Sequence, residues 1–217
     1  DQPRSRGLGD VYKRQLLVNH KKTLATLPLG NLPNLSAVFD GIAKKMNKDD
    51  DILILFLSSH GSAPSKDQED YEISTDFYPL ELNNIEAKKL KAELDLSGIK
   101  NRVIIVSSCH SGGFIDVLKD ENSLIMTAAR RDRSSFGCSN DEKYTYFGDA
   151  YFVQSLSKAA TKGDFDFSLA FENAKKIISQ KESVQQKDSP PSEPQIFEGV
   201  AIKAKLAALQ ARLRGSN

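Results

Sequence analysis

A histidine and a cysteine, two residue types suited to nucleophilic catalysis, each follow a run of apolar residues in this chain. Residues 52–57 are apolar and lead through two serines to His60 and Gly61, and residues 103–106 are apolar and lead through two serines to Cys109. A cysteine thiolate is a strong nucleophile, and a neighbouring histidine can move the proton that acyl transfer requires. The pair therefore predicts attack on a carbonyl carbon through a thioester intermediate.

The elements that would position these two residues can be predicted from the hydrophobic pattern. Uninterrupted apolar runs are typical of strands buried on both faces of a parallel sheet, and residues 52–57, 103–106 and 123–127 fit this pattern. Helical patterns lie between and after these runs, at about 35–46, 83–96, 147–158, 167–180 and 202–213. The alternation predicts a three-layer αβα fold with a mainly parallel sheet. Ligands bind at the carboxyl ends of parallel strands, so His60 and Cys109 are expected in one cleft although 49 residues separate them.

Helix starts and loops are predicted from capping residues and composition. Asn34 is expected to cap the first helix, and Asn83 with Glu86 resembles a capping box. A helix starting just after Cys109 would favour its thiolate. The polar, proline-rich stretch 181–195 predicts a surface loop.

Composition limits the classes of function. The chain has 217 residues, 39% hydrophobic and 27% charged, with a net charge of +1, which describes a globular protein without the basic field of a nucleic-acid binder. It contains no apolar run of the roughly 18 residues that a membrane-spanning helix requires. Two cysteines and three histidines lack the paired spacing of a zinc site, so neither metal nor organic cofactor is expected.

The first fifteen residues differ in character from the rest. Residues 1–15 lack apolar periodicity and resemble translated adapter sequence, so we expect a non-native leader followed by one domain at 16–213. On this interpretation the natural amino terminus, a signal peptide and the first strand of the domain would be missing. The compartment and the oligomeric state are accordingly not assigned.

Each catalytic candidate also has an ordinary structural interpretation. A cysteine at the end of an apolar strand is often a small buried hydrophobe, and a His-Gly pair is often only a turn. Residue types and spacing alone leave the two interpretations about equally supported.

Further motifs favour the catalytic interpretation. The chain carries, in order, Ser-Ser-His-Gly-Ser at 58–62, Ser-Ser-Cys-His-Ser-Gly at 107–112, Thr-Ala-Ala at 127–129, Ser-Ser-Phe-Gly-Cys at 134–138, Asp-Glu-Lys at 141–143 and Tyr-Phe-Gly-Asp at 146–149. This set resembles the legumain (asparaginyl endopeptidase) family, particularly its bacterial members, among the caspase-like cysteine peptidases. The resemblance covers residues from about 16 to 206 and implies a caspase-like fold and cleavage of peptide bonds, with a peptide or protein as the substrate.

The resemblance also implies roles for individual residues. Cys109 matches the nucleophile and His60 its catalytic partner, while the backbone N–H groups of Gly61 and Cys109 would form the oxyanion hole. Ser134 and Ser135 fall where the family lines its substrate cleft.

Two positions bear on specificity. Asp149 falls where an acidic residue contributes to the pocket for an asparagine side chain, and it could equally cap a helix beginning at Ala150. Ser107 stands where legumain carries a second pocket acid. The family's histidine-orienting asparagine and its basic pocket residues lie on an amino-terminal strand that this chain lacks. Cleavage after Asn or Asp is therefore one expectation, and loss of activity in this chain is another.

The sequence alone leaves two alternative functions open. A transamidase or peptide ligase would use the same thioester, and a catalytically inactive caspase-like domain would bind partners instead. His110 could tune the nucleophile, although a surface position is the simpler expectation. Cys138 and His20 are interpreted as bystanders in polar segments.

Overall fold

The computed structural model describes residues 14–137, 143–160 and 166–215. The strands are β1 (Ile52–Ser58), β2 (Gly61–Ser62), β3 (Glu72–Ile73), β4 (Ile85–Glu86), β5 (Asn101–Ser107), β6 (Ser123–Thr127) and β7 (Gln195–Glu198). The helices are α1 (Leu32–Ala43), α2 (Ala87–Ser97), α3 (Gly113–Leu118), α4 (Tyr146–Gly148), α5 (Ser157–Ala160), α6 (Phe167–Gln185) and α7 (Val200–Gly215). A π-helix, Asp149–Leu156, joins α4 to α5.

The central sheet has the strand order β1-β5-β6-β7. Strands β1, β5 and β6 are parallel, and β7 is antiparallel to β6. A second, three-stranded antiparallel sheet of β2, β3 and β4 follows β1. The mainly parallel sheet agrees with the sequence prediction, and β6 has the predicted bounds.

Helices cover the central sheet on two faces. One core joins the sheet to α1, α2 and α3, with Phe39, Leu90 and Phe114 fully buried. The other joins it to the π-helix, α6 and α7, with Tyr151 and Phe171 fully buried. This is the predicted three-layer αβα arrangement, in which burial of the apolar faces supplies most of the favourable free energy.

The prediction that both long apolar strands are buried on both faces is correct for β5 and wrong for β1. Every residue of β5 is buried, whereas Ile54 and Phe56 of β1 are 55% and 45% exposed. The alternate residues Leu53 and Leu55 pack into the core under α1 and α2. On the other face the π-helix reaches β1 only in part, where Phe152 meets the Phe56 ring edge-on at a centroid distance of 4.8 Å.

Both predicted helix caps are wrong. Asn31 caps α1 by accepting the Asn34 N–H at 3.0 Å, because the helix begins at Leu32 with a proline in its first turn. Asn83 caps nothing at the start of α2, since the intervening residues form β4. The buried carboxylate of Asp70, which lies before β3, instead accepts the Lys88 N–H at 2.7 Å.

The predicted surface loop at 181–195 is only partly a loop. Its first residues complete α6 and its last residue opens β7, a strand that the sequence prediction missed. Glu182 and Ser192 are buried, and the Glu182 carboxylate accepts the Ser192 N–H at 3.0 Å. The proline-rich segment between them is thus tied at both ends to the core.

Among the described residues, no helix combines the length and apolar character needed to cross a bilayer.

Candidate active site

The site begins with the pairing of β1 and β5. Their parallel register places Ser58 opposite Ser107, and the Ser59 N–H continues the ladder to the Ser107 carbonyl at 3.3 Å. His60 lies two residues beyond Ser58, and Cys109 lies two residues beyond Ser107. The two segments therefore leave the same edge of the sheet side by side, as the sequence predicted. His60 is exposed and Cys109 is half-buried.

Gly61 lies directly against the cysteine-bearing backbone. A Cβ atom placed on Gly61 would overlap the Cys109 carbonyl oxygen and lie 2.7 Å from Ser108 Oγ, so only glycine allows this approach. The His60 carbonyl accepts the Ser74 N–H at 2.9 Å, and Gly61 pairs with Ile73 in the ladder of β2 and β3. Since successive residues of a strand direct their polar groups to opposite sides, the Gly61 N–H points away from β3.

The Cys109 sulfur is held by the loop that follows β6. The Ser135 N–H donates a hydrogen bond to Cys109 Sγ at 3.3 Å. The Ser135 carbonyl and hydroxyl oxygens lie 3.7 Å and 3.8 Å from the same sulfur. The structure thus brings Ser135, which is 26 residues away in sequence, into contact with Cys109. Ser134 beside it is exposed.

The turn after Cys109 is a tight one. The backbone N–H of His110 donates to the Arg133 carbonyl at 2.8 Å, and its φ angle is +58°. The N–H of Gly112 donates to the Ala129 carbonyl at 2.8 Å, and a Cβ atom on Gly112 would lie 2.6 Å from the Arg131 nitrogen. The helix expected directly after Cys109 begins only at Gly113. This turn therefore separates the cysteine from the helix.

A hydroxyl pair links Ser107 to the segment that carries Asp149. Ser107 Oγ lies 3.2 Å from Thr145 Oγ1, and Ser107 is almost fully buried. Thr145 is the cap of α4, because its hydroxyl accepts the Gly148 N–H at 2.9 Å. The Asp149 N–H donates to the Thr145 carbonyl at 2.9 Å, and the Asp149 carboxylate accepts the Gln154 side-chain N–H at 2.6 Å. The alternative that Asp149 caps a helix at Ala150 is wrong, since the helical segment has already begun at Tyr146.

The remaining candidates from the sequence are His20 and Cys138. His20 is exposed, and its Nδ1 accepts the Lys22 N–H at 3.1 Å in a short 3₁₀ turn. Cys138 lies outside the described residues. Within the described part of the chain, no cluster of three or more His, Cys, Asp or Glu side chains could hold a metal ion.

The charged turn at 130–133, which lies in the loop between β6 and Ser135, was not predicted from the sequence. The Arg130 guanidinium donates to the Asp132 carboxylate at 2.5 Å and 3.0 Å, and also to Glu193 at 2.5 Å. The hydrogen bond from Arg130 lowers the pKa of the exposed Asp132 carboxyl to about 2. The Arg-Arg-Asp-Arg run at 130–133 was the available signal, although a charge run normally indicates a solvated surface.

Comparison with solved structures supports the fold. The chain is similar to caspase-1 from Spodoptera frugiperda, with 16% sequence identity and a TM-score of 0.54, over 79% of this chain and 69% of the caspase chain. Together with the mainly parallel sheet and its covering helices, this likeness defines a caspase-like fold.

The family follows from the sequence comparison. The model of the peptidase C13 family matches residues 9–200, and the chain belongs to this family, the legumain family of cysteine peptidases. It is therefore a hydrolase of the cysteine-peptidase type, whose substrates are peptides or proteins. No curated protein matches the sequence.

Proposed function

We propose that this protein is a cysteine endopeptidase in which Cys109 is the nucleophile and His60 its acid–base partner. The main support is that β1 and β5 are parallel, in register and adjacent, so the residues that follow them emerge at the same edge. The close approach of Gly61 to the Cys109 backbone adds a second, independent support.

The proposed reaction has two stages. The Cys109 thiolate attacks the peptide carbonyl carbon, and the C–N bond breaks as His60 gives a proton to the leaving amine. Water, deprotonated by His60, then attacks the thioester, and the carboxylic acid leaves as the Cys109 thiolate and the protonated His60 are restored. The N–H groups of Gly61 and Cys109 would hold the negative oxygen that develops in each stage. The orientation of the Gly61 N–H, away from β3, is compatible with this role.

We propose that Ser134 and Ser135 line the cleft and that Ser107 and Asp149 contribute to the pocket for the residue before the cleaved bond. Thr145 lies between them in the hydrogen-bond network, since its hydroxyl contacts Ser107 Oγ and its carbonyl accepts the backbone N–H of Asp149. A carboxylate and hydroxyl groups can accept the N–H groups of an amide side chain. This composition favours asparagine in the pocket.

Turnover of a peptide library by the full chain tests the proposal. We expect cleavage with a preference for asparagine before the cleaved bond, complete loss of cleavage in Cys109→Ala, and unchanged cleavage in the matched control Cys138→Ala. Cleavage that persists in Cys109→Ala, or that disappears in Cys138→Ala alone, would overturn the assignment of the nucleophile.

Product analysis distinguishes hydrolysis from transamidation, because water and an amine compete for the same thioester. With glycinamide added, we expect the free acid as the main product. A predominance of the glycinamide adduct would instead assign a transamidase or peptide ligase. Binding of a peptide with no reaction at Cys109 would assign an inactive binding domain.

A further inference from the structure

The residue directly after the proposed nucleophile has an unusual backbone conformation. His110 has a φ angle of +58°, in the left-handed region that favours glycine, and among the described residues other than glycine only Glu193 shares a positive φ. A residue with a Cβ atom in this region costs about 1–2 kcal/mol. Such a conformation persists only when the surrounding contacts determine it, and it is often found at functional sites.

Three hydrogen bonds determine the conformation of His110. Its backbone N–H donates to the Arg133 carbonyl at 2.8 Å, and its own carbonyl accepts the Gly113 N–H at 3.1 Å. Its ring Nδ1 lies 3.1 Å from the Arg131 carbonyl oxygen. Because a carbonyl oxygen can only accept, Nδ1 must carry the proton in this bond. The bond therefore exists in the imidazolium form and in the neutral Nδ1–H form.

Two of these bonds, to the carbonyl groups of Arg131 and Arg133, hold the loop that reaches the sulfur. Arg131 and Arg133 belong to the turn that leads into Ser135, and the Ser135 N–H donates to Cys109 Sγ at 3.3 Å. Residues 109–110 and residues 131–135 are thus joined at two places. One is the hydrogen bond from the Ser135 N–H to the Cys109 sulfur, and the other is the pair of hydrogen bonds between His110 and the carbonyl groups of Arg131 and Arg133. Loss of the ring bond would remove one of the two contacts by which His110 holds the loop near the sulfur.

We propose that His110 is a positioning residue, which holds loop 131–135 so that the Ser135 N–H stays on the Cys109 sulfur. This proposal rests on the proposed function, since it assigns His110 a part in the reactivity of the same cysteine. It requires a side-chain donor on the left-handed backbone, so a substitution that keeps this backbone and removes the donor tests it.

Two variants of His110 keep the backbone and differ in the side-chain donor. His110→Gly tolerates the left-handed backbone and removes the ring donor, whereas His110→Asn tolerates the same backbone and keeps a side-chain N–H at a similar position. With one hydrogen bond lost, we expect the rate constant for acylation of Cys109 by an electrophilic peptide to fall about tenfold in His110→Gly. We expect the rate to remain within about threefold of the wild type in His110→Asn.

Thermal unfolding distinguishes positioning from a general contribution to stability. Glycine relieves the backbone strain, so the melting temperature of His110→Gly is expected to stay near that of the wild type while its acylation rate falls. A wild-type acylation rate in His110→Gly, or an equally low rate in His110→Asn, would overturn the proposal.

Amide hydrogen exchange at Ser135 provides a readout that does not depend on peptidase activity. We expect exchange about tenfold faster in His110→Gly than in the wild type and near wild-type exchange in His110→Asn. If the wild type fails to react with the peptide while exchange responds as expected, the proposed function fails and the role of His110 in holding the loop stands. Exchange that is equal in all three proteins would overturn that role.

Discussion

Replacement of Gly61 by alanine is expected to disrupt the proposed site with little direct change in its chemistry. The added methyl group would overlap the Cys109 carbonyl oxygen and lie 2.7 Å from Ser108 Oγ and 2.9 Å from Ser108 Cβ. Ordinary van der Waals contact begins at 3.4 Å, so the two backbones must separate by more than half an ångström. Neither can yield easily, because both continue from the paired strands β1 and β5.

The size of the effect follows from this displacement. A shift of about 1 Å at a reacting centre can cost a hundredfold in rate, so we expect Gly61→Ala to lose about ten- to a hundredfold in the rate of Cys109 acylation. The overpacking should also lower the free energy of unfolding by about 1–3 kcal/mol. The rate is measured with an irreversible electrophilic peptide and mass spectrometry of the Cys109 peptide, and the free energy by urea unfolding.

Gly41→Ala is the matched control. A Cβ atom on Gly41 would meet nothing within 4 Å, and the residue lies within α1. We expect an unchanged acylation rate and a gain of up to about 1 kcal/mol in stability, since alanine is the better helix former. A Gly61→Ala protein that reacts within twofold of the wild type would refute the inferred close contact between the two backbones.

Two further predictions concern stability. The Asp70 carboxylate accepts the Lys88 N–H at the start of α2 with one oxygen and the Tyr71 N–H with the other. Asp70→Ala removes both acceptors and should lower the free energy of urea unfolding by about 1 kcal/mol or more, whereas Asp70→Asn keeps one acceptor oxygen and should lose less. Equal losses in the two variants would contradict the capping role. Burial raises the pKa of Asp95, but hydrogen bonds from Lys91 and Arg102 outweigh it and leave the pKa below its usual value. The Asp95 carboxylate therefore stabilises the fold above the pKa of the unfolded chain, and this contribution disappears as the pH falls through the folded pKa. Asp95→Asn should destabilise the protein by up to about 1 kcal/mol at pH 7, with a smaller difference from the wild type at pH 3, and a difference independent of pH would contradict this.

The sequence predicted the strands of the central sheet correctly where both faces of the strand are buried. β5 and β6 are buried along their whole length, so their apolar runs gave both position and type. β1 has the same pattern, yet Ile54 and Phe56 are exposed. Periodicity reports what a strand can bury and carries no information on whether a helix covers that face. β7 was missed because it is short and partly polar and follows a proline.

For the site, the sequence predicted which two strand ends carry the proposed catalytic residues. It did not predict the contacts that surround the Cys109 sulfur. His60 and Cys109 each follow an apolar run, which the sequence shows, and the parallel pairing of β1 and β5 brings the two run ends together. The contact of Ser135 with the sulfur depends on how a loop 26 residues away folds back. The long-range cap from Asp70 and the left-handed conformation of His110 depend in the same way on tertiary contacts. Such contacts have no short-range signature in the chain.

The dependence of Cys109 reactivity on His60 is the most direct test of the central claim. Peptide mapping after treatment with an electrophilic peptide should find the adduct on Cys109 and none on Cys138. In His60→Ala the labelling rate should fall by about a hundredfold or more, the usual contribution of a general acid–base partner. Labelling of Cys138 in preference to Cys109, or an unchanged rate in His60→Ala, would contradict the account.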